Sequence, residues 1–110
     1  MAKATYWQRG EALDYTNSGS ALIEAGTVIL FGSRLGVAAC DIPAGGVGSL
    51  HVQGVFDIPK GSAAITAGQE VYWDNTNSCI KAAGDSTGVN GYAVAAAGAD
   101  DTTVLVKINA

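Results

Sequence analysis

The stretch that most constrains this chain is Gly45 to Trp73, GGVGSLHVQGVFDIPKGSAAITAGQEVYW, because its centre alternates with a period of two. From Leu50 the even positions read Leu50, Val52, Gly54, Phe56 and Ile58, while Ser49, His51, Gln53 and Asp57 fall on the odd ones. A strand sends successive side chains to opposite faces, so this pattern describes one buried and one wet face. The reading is a single long strand from Leu50 to Ile58. Pro59 ends it or leaves it at an edge, since proline has no N–H to donate to a ladder. Val55 breaks the polar set. A lone apolar residue on a wet face is most often incidental, but it is also a candidate contact with another subunit.

Around this centre the chain reads as further short strands. Glu11 to Tyr15 alternates and runs into the turn-rich Thr16-Asn17-Ser18-Gly19-Ser20. Thr27 to Phe31 and Leu35 to Ala39 are β-branched and apolar runs. Asp41-Ile42-Pro43-Ala44-Gly45-Gly46 is a turn, and Gly61 to Gly68 is a loop or a single helical turn. Glu70 to Trp73 and Cys79 to Ala82 make a hairpin around Asp74-Asn75-Thr76-Asn77. Gly91 to Ala97 and Thr102 to Asn109 close the chain, the latter with Thr102, Val104, Val106 and Ile108 on one face. About eight short strands with glycine-rich turns and no long amphipathic helix predict an all-β fold, a small barrel or sandwich.

A faint internal repeat accompanies the strands. Ala25-Gly26 and Ala67-Gly68 each precede a strand, Gly36-Val37-Ala38-Ala39 resembles Gly91-Tyr92-Ala93-Val94, and Asp41-Ile42-Pro43 recurs as Asp57-Ile58-Pro59. The matches are short and only suggest a duplication.

With 110 residues there is room for one domain, placed at residues 11–110, preceded by an extended arm at residues 1–10. The arm holds Lys3, Tyr6, Trp7 and Arg9. Two large aromatics are poorly matched to water, so the arm is expected to dock on a neighbouring chain. Only 15% of residues are charged while 48% are hydrophobic, which suggests that part of the outside is covered in an assembly. The net charge of −4 and six dispersed basic residues argue against a nucleic-acid partner, because phosphate binding rests on clustered Lys and Arg. No apolar run suits a signal peptide or a membrane span, so cytoplasmic synthesis and no membrane partner are expected. Cys40 and Cys79 are read as reduced thiols in such a compartment.

Reactive chemistry finds little support. Gly54-Val55-Phe56-Asp57-Ile58-Pro59-Lys60-Gly61-Ser62 approaches a P-loop, but Pro59 stands where an amide donor is needed and Lys60 precedes the second glycine. His51 lacks a nucleophile elbow, and neither cysteine lies in a C-x-x-C pair that would favour zinc. Asp74 to Asn77 lacks the glycine and terminal glutamate of a calcium loop, and Asp100-Asp101 suits a turn. No catalytic residue, metal or cofactor is expected.

Taken together, Tyr15-Thr16-Asn17-Ser18, Gly54-Val55-Phe56-Asp57-Ile58-Pro59-Lys60, Val71-Tyr72-Trp73-Asp74, Gly91-Tyr92-Ala93 and Val104-Leu105-Val106-Lys107-Ile108-Asn109 resemble a family of small phage proteins. That family carries an older label of RecA/RadA-like recombinase and is now grouped with phage capsid cement, or decoration, proteins. The resemblance implies a β-barrel-like protein, often trimeric, that binds the outside of an icosahedral head and locks neighbouring capsomers. It implies the major capsid protein and other copies of the chain as partners, a homotrimer rather than a dimer, and the virion exterior as location. The contacts assigned to those partners are Lys3, Tyr6, Trp7, Arg9 and Val55. The alternatives are a recombination-associated DNA-binding protein and a glycan-binding tail or fibre module using exposed Trp7 and Trp73.

Overall fold

The structure, a computed structural model, describes residues 2–6, 8–85 and 87–109. These residues form nine strands and no helix: β1 (Ala12–Thr16), β2 (Val28–Phe31), β3 (Arg34–Ala38), β4 (Val47–His51), β5 (Val55–Pro59), β6 (Glu70–Asp74), β7 (Cys79–Ala82), β8 (Gly91–Ala93) and β9 (Thr103–Ile108). They build an all-β sandwich of two antiparallel sheets, ordered β1-β4-β3-β2 and β5-β9-β8-β6-β7.

The expected long strand from Leu50 to Ile58 is two strands in different sheets. The chain leaves β4 at His51, turns through Val52-Gln53-Gly54, where Gly54 has φ +128°, and enters β5 at Val55. The alternation survives because both pieces keep their apolar residues inside: Leu50 and Ile58 are both buried, in different parts of the core. Pro59 is the last residue of β5, an edge strand of its sheet, which is the second of the two expected outcomes; it pairs with Thr103, and Lys60 N–H donates to Thr102 O at 3.0 Å. Gly91 to Ala97 is shorter than expected, leaving the ladder after Ala93, and Gly61 to Gly68 is a loop with no helical turn.

The sequence repeat is a structural duplication. Ile23 and Ile42 exchange both backbone hydrogen bonds (3.0 and 2.8 Å), as do Ile65 and Ala97 (2.9 and 2.8 Å). Gly26 N–H donates to Ala38 O, and Gly68 N–H to Ala93 O, each at 2.7 Å. Four tight turns of one pattern follow the bridging residues, closed by Thr27 N–H to Glu24 O, Gly46 to Pro43, Gln69 to Thr66 and Asp101 to Gly98. Three of them carry glycine with positive φ at the third position, as a type II turn requires. Thus β1, β2, β3 and β4 correspond to β5, β6, β8 and β9, and the two sheets share one strand order. The Asp41-Ile42-Pro43 and Asp57-Ile58-Pro59 match is coincidental, since Ile42 bridges to Ile23 while Ile58 lies within β5.

The second half has one additional strand, β7. It pairs with β6 and touches β5 through a parallel bridge, Lys60 to Ile80, with Gly61 N–H donating to Ile80 O at 3.0 Å. Through this bridge β7 covers the side of the second sheet that holds Ile58, Ile65, Val71, Trp73, Ile80, Val104, Val106 and Ile108. Strand β3 is buried on both faces. Leu35 and Val37 pack on the second half's core, while Gly36 lies under Leu50 of β4. Each fully buried aliphatic side chain contributes roughly 1.5–3 kcal/mol. The halves are also tied by Asn109, whose Oδ1 accepts from Leu35 N–H (2.8 Å) and whose Nδ2 donates to Leu35 O and Val52 O (2.7 Å each).

Candidate interaction surface

Val55 lies on the outer face of β5 and is 53% exposed. Its register partner on β9 is Lys107, Asp57 faces Leu105, and Val94 N–H donates to Leu105 O at 3.0 Å. Val55, Leu105 and Val94 are therefore neighbouring exposed apolar side chains on one outer surface. Asp57 and Lys107 lie among them, the Lys107 ammonium 6.0 Å from the centre of the Tyr92 ring. Protein interfaces combine an apolar centre with a polar rim. Leu105 and Val94 were missed from sequence. The signal that singles out Val55 also marks Leu105, an apolar residue between outward Thr103 and Lys107.

Glu11, just before β1, lies next to this surface. Val52 N–H donates to Glu11 O at 3.0 Å, and Glu11 lines a cleft of about 450 Å³ with Gln53, Gly54, Lys107, Ile108 and Asn109. Lys3, Tyr6 and Arg9 are exposed, Tyr6 at 81%, and residues 2–6 have no regular secondary structure. Gln8 Nε2 donates to Ala12 O at 3.2 Å. Trp7 lies outside the described residues.

Residues considered for chemistry are dispersed or engaged in structure. Lys60, in the P-loop-like stretch, is buried and donates to Gly61 O (2.8 Å) and Asp101 O (3.1 Å). His51 packs against Phe56, ring centres 5.8 Å apart. Cys40 is exposed and Cys79 buried, both free thiols, and among the described residues no group of three His, Cys, Asp or Glu is placed to hold a metal. Asp74 caps its own hairpin: Oδ1 accepts from the Thr76 and Asn77 N–H groups, and Oδ2 from Asn77 Nδ2 and, at 2.8 Å, from Lys81 Nζ. The Lys81 hydrogen bond, with those from Asn77, holds the Asp74 carboxyl well below the usual carboxylate range, and the same contact raises Lys81. Trp73 is buried under the hairpin with its indole N–H on Asn75 Oδ1 at 3.1 Å, which removes it from the surface a glycan reader would need.

A family model described as phage cement protein matches residues 7–108. The chain belongs to the phage cement protein family. Comparison with curated proteins and with solved structures gave no significant match. Membership gives this phage cement protein a capsid accessory role in a structural family, and the match spans both halves of the duplication.

Proposed function

We propose that the protein binds the outer surface of an icosahedral phage head as a homotrimer and stabilises contacts between neighbouring copies of the major capsid protein. The observation that carries this reading is the cement family match over residues 7–108, on a body whose outer β5-β9 face presents Val55, Leu105 and Val94. Residues 1–10 act as the arm and residues 11–110 as the rigid body. Lys3, Tyr6, Trp7 and Arg9 supply the arm's contacts, and Val55 supplies one from the body.

Such a protein works through shape and needs no reactive group. Each contact can be weak, because an oligomer that engages several shell subunits gains effective concentration once its first contact forms. A specific interface buries about 1,200 Å² or more in total, and an extended arm adds area that the flat side of a small sandwich lacks. Synthesis in the bacterial cytoplasm and a final place on the virion exterior complete the reading.

The test is addition of purified protein to undecorated heads. Cosedimentation and a raised temperature of head disruption are expected. Absence of both overturns the proposal, and a mobility shift with DNA at physiological salt would favour the recombination alternative.

A further inference from the structure

The duplication provides an internal comparison. In the second half β7 lies between β6 and β5 and covers the residues beneath it. In the first half the corresponding edges, β2 and β1, are joined by no strand among the described residues. The same interior positions are correspondingly less covered. Val71, opposite Gly91, is fully buried, whereas Ile29, opposite Gly36, is half-buried. Trp73 is 8% exposed and sits opposite Ile80 of β7; its counterpart Phe31, two residues beyond Ile29, is 44% exposed. Ile58 is buried, while its counterpart Tyr15 is half-buried and meets Phe31 edge-on, ring centres 6.4 Å apart. Two backbone edges and a partly covered aromatic pair therefore remain where the second half has a strand.

We infer that this gap between β2 and β1 accepts residues 2–6 of a second copy of the chain as an added strand. The direction follows from β7, which runs antiparallel to β6 and parallel to β5, so the added strand runs parallel to β1. The arm of the same molecule cannot supply it. It enters β1 almost directly through Gly10, whereas joining two parallel strands takes a crossover of a dozen or more residues. The arm of another copy has no such constraint.

The arm's composition fits the gap. Ala2-Lys3-Ala4-Thr5-Tyr6 in extended form places Ala2, Ala4 and Tyr6 on one side and Lys3 and Thr5 on the other. Tyr6 supplies an aromatic ring for Tyr15 and Phe31, much as Ile80 covers Trp73, and added strands bind through main-chain bonds with pockets for alternate side chains. An arm passed from each copy to the next is a head-to-tail contact, which gives a ring such as a trimer when the rotation between copies closes. The inference rests on the self-association in the proposed function but not on head binding, and free protein tests it.

The experiment places a photoreactive benzoylphenylalanine at Tyr6 and mixes heavy-nitrogen and unlabelled copies before illumination. Crosslinks of mixed isotope to residues 13–15 or 28–31 are expected. Native mass spectrometry of Ala4→Pro/Thr5→Pro, whose changes lie in the exposed arm, should show loss of the oligomer with an unchanged far-ultraviolet circular dichroism spectrum. A monomeric unmodified protein, an oligomer undiminished by the two prolines, crosslinks confined to one chain, or crosslinks that form only to the shell protein on heads would each overturn it. Head binding that persists alongside any of these outcomes would leave the capsid-binding role intact, although a monomer would remove the homotrimer from it.

Discussion

Asn109 adopts φ +58°, a conformation asparagine tolerates better than most residues, and its side-chain amide satisfies three backbone groups of β3 and the β4-β5 connection. Leu35, which it holds, is fully buried. Asn109→Ala leaves those groups without partners and is expected to lower stability by about 2–3 kcal/mol in chemical denaturation, on the scale of an unsatisfied buried polar group. Gly36 and Gly91 are counterparts in the duplication, and both lie where a neighbour presses on the backbone. A Cβ on Gly36 would come within 2.5 Å of the Leu50 side chain, whereas one on Gly91 would strike the Lys107 carbonyl of β9. A leucine can change rotamer and a paired strand cannot move alone. Gly91→Ala should therefore cost more than Gly36→Ala, the latter in the overpacking range of about 1–3 kcal/mol. A ranking in the opposite order, measured by thermal melting of the two variants, would contradict this account.

At the scale of elements the β6-β7 hairpin carries most interest, because its second strand, β7, is the addition that distinguishes the halves. Asp74 holds its turn and Lys81 holds Asp74, both near the surface. The folded carboxyl titrates below its unfolded value. Its contribution is therefore complete above the ordinary aspartate pKa of about 4 and declines as pH falls below that, toward the folded value. Asp74→Asn should open amide protons of β7 to exchange at neutral pH, and the gap between variant and parent should shrink below about pH 4. A gap that stays constant in acid would show that the hairpin owes nothing to this charge. Loss between pH 5 and 8 is not expected from this group.

For the whole molecule, the outer β5-β9 face and the proposed arm can be tested separately. Val55→Asp together with Leu105→Asp changes two exposed side chains, so the melting temperature should hold within the spread of surface substitutions while cosedimentation with heads falls. Deleting residues 2–10 should abolish head binding and leave the circular dichroism spectrum of the body unchanged. Binding of the deletion variant at parental strength would remove the arm from the proposal.

How much of this was legible in the chain differs from residue to residue. Alternation at Leu50 to Ile58 and at Thr102 to Ile108, with glycine turns at Ala25-Gly26 and Ala67-Gly68, determined an all-β class, most strand positions and two of the three repeat matches. Val55 announced itself by interrupting that alternation. The sequence could not reveal that the chain changes sheets at Gln53-Gly54, because a period of two reports which face is wet and is silent about which strands are neighbours. Nor could it distinguish Phe31 from Trp73, two aromatics at the same place in the repeat. One is covered by β7 and the other is not, and that was decided only when the tertiary structure brought residues distant in sequence to the same edge.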